Sequence, residues 1–383
     1  MTMRQVLPSG VTVERPEDPA DPAGLPPHVL ERIAVRWADR AGCPPSQVVL
    51  REEELGWALY APGVTAGYTS FVDKLTGRVA GFANPAYLSE QYRRQLEYED
   101  GALPRPGAGP PVETPGAVAE VTLESVTVRA ASVRGDEPPA LHPLVRARLA
   151  RVPARARVRG AEWHPELVAL GEAMRSLDAE PREVEAHVRL WRVREPADPR
   201  QGESTGRPCA TCAQVLGLRP PGPAARAGSR RRDSWWQRQV DRRRLHRRPP
   251  VTPARAAERI ERVLAARGVA HEHTVFPAAV EAVERYLDAG SEVQVPGRSV
   301  RTAGFHIDPA WAADTADTLA RVARRVGAPL FPLGLAGYEG FLALDPDRRV
   351  FLIDESGEWS LGTGLPTALD TLLLGRAAPR VRG

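Results

Sequence analysis

The chain has 383 residues, of which 42 % are hydrophobic and 26 % charged, a composition that excludes a disordered or fibrous protein and leaves room for two or three domains with real cores. The net charge of +4 is a weak pointer to nucleic acid, because Lys74 is the only lysine among 52 basic residues and such an arginine bias follows from GC-rich coding as readily as from phosphate contact. Three cysteines exclude a disulfide framework. The opening Met1 to Pro8 has no apolar run of signal-peptide length, and no window approaches a membrane span, so a soluble, cytoplasmic protein is expected.

In chain order, Leu30, Ile33 and Trp37 share a face at helical spacing and predict a helix from about His28 to Ala41. Strands follow at Trp57 to Leu59, Tyr68 to Val72 and, after a Thr76-Gly77 turn, Val79 to Ala83, with a helix from Tyr87 to Leu96. This small α+β unit ends in a spacer rich in proline and glycine from Leu103 to Gly116. Alternation from Val118 to Val133, broken near Ser125, predicts one long bent strand or two paired strands. Helices are expected at Leu141–Leu149, Glu166–Leu177 and Pro208–Leu216, with an alternating strand around Val184 to Leu190. An arginine-rich stretch with two tryptophans, Arg230 to Arg248, leads to an amphipathic helix near Pro253 to Arg267. Beyond it, helices at Ala278–Tyr286 and Trp311–Val326 alternate with strands at Glu292–Val295, Phe341–Leu344 and Val350–Asp354, which makes a second α+β domain.

The chemistry concentrates in two motifs. A His-x-Glu, His164-Pro165-Glu166, is followed by Pro208-Cys209-Ala210-Thr211-Cys212. One imidazole and two thiolates make three ligands of a tetrahedral zinc and leave the fourth position to water, as in catalytic rather than structural zinc. Pro208 in the first helical turn would make the cysteines i and i+3 on one helix face, where the free N–H groups favour thiolates. Glu166, beside the metal but not bound to it, is placed to move protons. Hydrolytic deamination requires this combination. Each motif alone is common. Redox chemistry, or a structural zinc completed by a fourth protein ligand, are the other readings of the cysteine pair.

The segment from about Pro115 to Leu218 resembles the YwqJ-like deaminases of the nucleic-acid deaminase superfamily. The resemblance rests on Pro139-Ala-Leu-His-Pro-Leu-Val-Arg146, Gly160 ahead of His164-Pro165-Glu166, and Arg207-Pro-Cys-Ala-Thr-Cys212 followed by Val215-Leu-Gly-Leu218. It implies a cytidine-deaminase-like α/β/α layer domain, with zinc on His164, Cys209 and Cys212 and proton transfer by Glu166. The chain departs from the general pattern by running into prolines soon after the Cys-x-x-Cys helix, which shortens the domain. It also departs in having His164-Pro165-Glu166 where many relatives have Cys-Ala-Glu.

From about Ser234 the chain resembles the third subfamily of SUKH immunity proteins, through blocks such as Val275-Phe-Pro-Ala-Ala-Val280, Phe305-His-Ile-Asp-Pro309, Arg349-Val-Phe-Leu-Ile-Asp354 and Gly357-Glu-Trp-Ser-Leu-Gly362. That resemblance implies a non-enzymatic α+β module that neutralises a toxin protein by contact. Trp359 is expected to be a core or interface anchor, Trp236 a buried tryptophan, His306 a satisfied strand residue, and His271 to His273 a solvated loop.

The expected organisation is therefore an α+β unit of unknown role over 1–103, a linker over 104–116, the deaminase-like domain over 117–220, a linker over 221–233 and the SUKH-like domain over 234–383. The expected function is zinc-dependent hydrolytic deamination of a base in nucleic acid or a nucleoside, fused to a toxin-neutralising module of a bacterial polymorphic toxin system. The alternative is a deaminase-like scaffold without catalysis, in which the SUKH-like domain does the work.

Overall fold

The structure, a computed structural model, describes residues 2–16, 25–64, 69–82, 88–98, 113–177, 186–218 and 273–381 together with Ile260, apart from 75, 197, 199, 205–206, 313 and 338–339. The arginine-rich stretch, Trp236, His271, Glu272 and all of the helix expected at 253–267 except Ile260 lie outside those residues. Two compact units result: 1–111 with 192–203 and 265–268, and 112–191 with 204–264 and 269–383.

The first unit is a six-stranded sheet whose strands lie in chain order: β1 (Thr2–Val6), β2 (Thr12–Pro16), β3 (Val49–Glu52), β4 (Gly56–Tyr60), β5 (Thr69–Asp73) and β6 (Val79–Phe82). Only β2 and β3 pair in parallel, since α1 (Pro27–Ala41) carries the chain between them as a crossover. Proline in the first turn and Gly42 at φ 68° bound that helix. Its buried face, Leu30, Ile33 and Ala34, packs with Leu50, Trp57, Leu59 and Val72. Alternate residues Ala58 and Phe71 face α2 (Leu88–Tyr98) on the other side, where the Phe71 and Tyr92 rings lie 4.8 Å apart. The sequence pattern misses the first three strands. Met3 and Val6 of the outermost strand are exposed, so no buried alternation marks it.

In the second unit, β7 (Gly116–Leu123) and β8 (Val126–Ala131) form an antiparallel hairpin turning at Glu124, φ 52°, which decides the expected break near Ser125 in favour of two strands. With β9 (Ala186–Val193) they form a sheet in the order β8-β7-β9. Helix α4 (Pro165–Ser176) packs on β7 and β8 and is buried along most of its length. Helices α3 (Pro143–Arg151) and α5 (Ala210–Val215) flank it, and Leu123, Leu149, Leu167, Leu170 and Leu216 fill the space between. Gly171 admits the backbone of His142, the residue that caps α3, 3.3 Å from where a side chain would begin.

The carboxy-terminal part of this unit is an antiparallel meander of six strands, β10 (Gly290–Ser291), β11 (Phe305–Ile307), β12 (Phe331–Ala336), β13 (Gly340–Leu344), β14 (Arg349–Asp354) and β15 (Gly357–Thr363). Helices α6 (Pro277–Tyr286) and α8 (Leu365–Leu373) cover the face carrying Phe331, Leu342 and Leu352. Helix α7 (Ala316–Val326) covers the face carrying Ala343, Phe351 and Ile353. The helix expected from Trp311 begins only at Ala316, because Asp308 accepts the Ala310 N–H at 3.0 Å and caps a separate short turn at Pro309–Trp311. The strand expected at Glu292–Val295 is displaced to Gly290–Ser291. His306 sits in β11 as expected, whereas His273 is buried rather than solvated. No helix among the described residues is long and apolar enough to cross a membrane.

The buried position of Leu170 at the centre of α4 yields a direct test. Leu170→Ala should destabilise the unit by about 2–5 kcal/mol, read as a lower urea midpoint in equilibrium unfolding.

Candidate metal centre

Two helix starts converge on one point. Gly160, at φ 68°, opens a short turn over Ala161–Trp163 that ends at His164, the N-cap of α4, with Pro165 and Glu166 in the first turn as the sequence predicts. At the second start Cys209 is itself the N-cap of α5, at φ −61° and ψ 162°, rather than a residue inside the helix. The reason is local: its sulfur accepts the Cys212 N–H at 3.4 Å and so does the work of a capping side chain.

Both sulfurs still reach the imidazole. His164 Nδ1 lies 3.5 Å from Cys209 Sγ and 3.5 Å from Cys212 Sγ, and the three donor atoms lie within 4.8 Å of one another. All three side chains are buried, and neither cysteine is in a disulfide. Bonds of about 2.3 Å to sulfur and 2.0–2.1 Å to nitrogen at tetrahedral angles give an N···S edge of about 3.5 Å. The donors therefore have the chemistry and the spacing of a mixed nitrogen–sulfur metal site.

Glu166 is 2 % exposed, and its Oε2 has no hydrogen-bond partner among the described residues. Burial pushes its carboxyl up to about 8; His164 pulls the other way, and Glu355 and Cys209 add to the rise. Burial alone would lower the His164 pKa, but Cys209, Glu355 and Glu166 outweigh it and raise it well above the ordinary range. Cys209 is held well below a free thiol, first by its hydrogen bond with Cys212, against burial and with help from His164. Burial and then Cys209 push Cys212 the opposite way. These directions favour a proton on His164 and on Cys212 and a charge on Cys209.

Two neighbours were not legible in the motifs. Thr211, between the cysteines and 1 % exposed, accepts the Val158 N–H on its hydroxyl at 2.7 Å and ties α5 to the segment leading to His164. Glu355, in the turn between β14 and β15, places Oε1 3.3 Å from His164 Nδ1. The sequence ends a strand at Asp354, but nothing in it links the residue that follows to position 164.

This arrangement defines a buried His/Cys/Cys centre with an adjacent carboxylate. Residues 109–218 match the YwqJ-like deaminase family and residues 251–375 match the SUKH-3 immunity protein family, so the chain joins the two in that order. No curated protein and no solved structure matches the chain.

The Thr211 bridge predicts that Thr211→Val, which leaves the Val158 N–H unpaired, costs about 1–3 kcal/mol. Thr211→Ser should keep most of that stability in the same denaturant titration.

Proposed function

We propose that the segment around 112–218 is a zinc-dependent deaminase that hydrolyses an exocyclic amine from a base in nucleic acid or a nucleoside. In this reading the SUKH-3 segment is a protein-contact module that neutralises a toxin of a bacterial polymorphic system. The observation that carries the reading is the buried Glu166 carboxyl, unpartnered at Oε2 among the described residues, with an oxygen within 4.8 Å of a His164 ring nitrogen, beside the two cysteines.

His164, Cys209 and Cys212 would hold the ion, both cysteines as thiolates. Zinc supplies the Lewis acidity that makes water a nucleophile near neutral pH. Glu166 does the rest of the proton work: its carboxylate accepts the proton of the attacking water, and the resulting acid delivers it to the departing amine. A carboxyl whose burial lifts it toward neutrality suits both steps, since an acid–base group works best with a pKa near the working pH. Pro165 holds Glu166 in the first turn of α4, so the carboxyl is positioned by helix geometry rather than by a loop.

Metal content and turnover test separate parts of this. Purified wild type should carry about one zinc per chain, Glu166→Gln should keep it, and Cys209→Ala should lose it. On single-stranded nucleic acids and nucleosides containing cytosine or adenine, Glu166→Gln should lower deamination by about 10²–10⁴-fold. Unchanged activity in that variant would remove Glu166 from the mechanism, and zinc-loaded wild type and Glu355→Ala both inert on every such substrate would favour the scaffold reading.

A further inference from the structure

The turn that brings Glu355 to the centre is a built feature. Asp354 Oδ1 accepts from the Ser356 N–H at 2.9 Å, the Ser356 hydroxyl at 2.6 Å and the Gly357 N–H at 3.1 Å, which locks the tip of the β14–β15 hairpin. The hairpin is anchored to the segment carrying His164. The Arg380 guanidinium lies 4.0 Å from the Trp163 ring centre and 5.1 Å from that of Trp359, and the two indoles meet edge to face at 6.2 Å. Buried Arg134 donates to Glu358 at 2.7 Å and to the Asp354 carbonyl. Gly160 has no side chain where one would collide with Ser356.

The position of Glu355 singles it out from an ordinary neighbour. One ring nitrogen, His164 Nδ1, faces both sulfurs at 3.5 Å and the carboxylate at 3.3 Å. Glu355 is grouped by distance with His164 and Glu166, and the cysteines with His164, so ligation of one ion by all of them turns the Glu355 carboxylate from the Glu166 side of the ring nitrogen toward the sulfurs. The N···O edge of a tetrahedral zinc site is about 3.3 Å, which is the distance seen. The Glu355 carboxylate also lies within 4.8 Å of both His164 Nδ1 and a Glu166 oxygen, between a ligand and the proton-transfer group, where water and substrate would have to stand. The cavity beside it, lined by His164, Cys209, Arg159, Asp354 and Glu355, has a volume of about 50 Å³. That holds a water or two but is well short of the roughly 150 Å³ that admits benzene.

We propose that Glu355 is the fourth ligand of the metal, so that the SUKH-3 segment closes the deaminase-like centre of its own chain. The inference rests on the zinc reading above and adds an occupant to the position left for water. Substrate then reaches the ion only when the β14–β15 hairpin withdraws. The closure is local, and its opening needs the Arg380–tryptophan and Arg134–Glu358 contacts to part.

Cobalt(II) substitution of the full-length chain, followed in the visible and near-ultraviolet with azide as an external ligand, tests it. Wild type should show a thiolate-to-cobalt charge-transfer band and d–d bands that azide does not alter. Glu355→Ala and Glu355→Gln should keep the charge-transfer band, shift the d–d bands and respond to azide. Their zinc should pass to a chelator at least tenfold faster than that of wild type. Wild-type d–d bands that already respond to azide would overturn the proposal without recourse to any variant, as would variant bands superimposable on those of wild type. Absence of the charge-transfer band in wild type would instead sink the metal reading itself.

Discussion

The second unit is organised around the burial of four ionisable side chains at one point. His164, Glu166, Cys209 and Cys212 are each less than 5 % exposed, and ionisable groups removed from water must be neutralised, paired or bound to an ion. The surrounding fold answers that demand. Helices α4 and α5 both begin at the cluster, and the first turn of α5 donates its Cys212 N–H to the Cys209 sulfur. Thr211 of α5 accepts the Val158 N–H and so ties that helix to the segment leading into α4. The apolar packing of α4 on β7 and β8 then holds the donors without relying on a loop.

Arginine has a different place here from the one composition suggests. Arg134 pairs with Glu358 where both side chains are nearly dry, 7 % and 3 % exposed, and Arg321 and Arg325 approach the same carboxylate. Arg380 stacks on two tryptophans, and Arg159 lies 5.8 Å from the Trp359 ring while donating to the Arg376 carbonyl. A planar guanidinium with several fixed donors and a stackable face suits such positions better than lysine does. A buried ion pair adds little net stability but penalises any other register strongly. These contacts accordingly define how the β14–β15 hairpin meets the segment around Trp163.

Helices with a strong period or a proline start were legible: α1, α3, α4 and α6 lie within a residue or two of their expected bounds. The β7–β8 pair was legible as alternation, with one bent strand left open as the other reading, and the central strands β13 and β14 as runs of Val, Leu, Ile and Phe buried on both faces. Short or edge strands were not. β1 exposes Met3 and Val6, β10 spans only Gly290–Ser291, and β12 contains a proline and a bulge beside Gly334, so neither alternation nor propensity signals them. Cys209 was placed one step too far into its helix because periodicity cannot distinguish a cap from a first turn.

The sequence by itself determined which side chains could bind a metal, because ligand chemistry is written in residue type and in the three-residue spacing of Cys209 and Cys212. It also determined that His164 and Glu166 would share one helix start, since Pro165 allows little else. Tertiary structure decided what stands opposite them. Glu355 lies 191 positions from His164 in the chain, and its approach depends on the register of β14 against β15, the Asp354 turn and the Arg380–Trp163–Trp359 stack. Such long-range contacts are set by packing and leave no local pattern, so only the folded chain brings that carboxylate to the ligands.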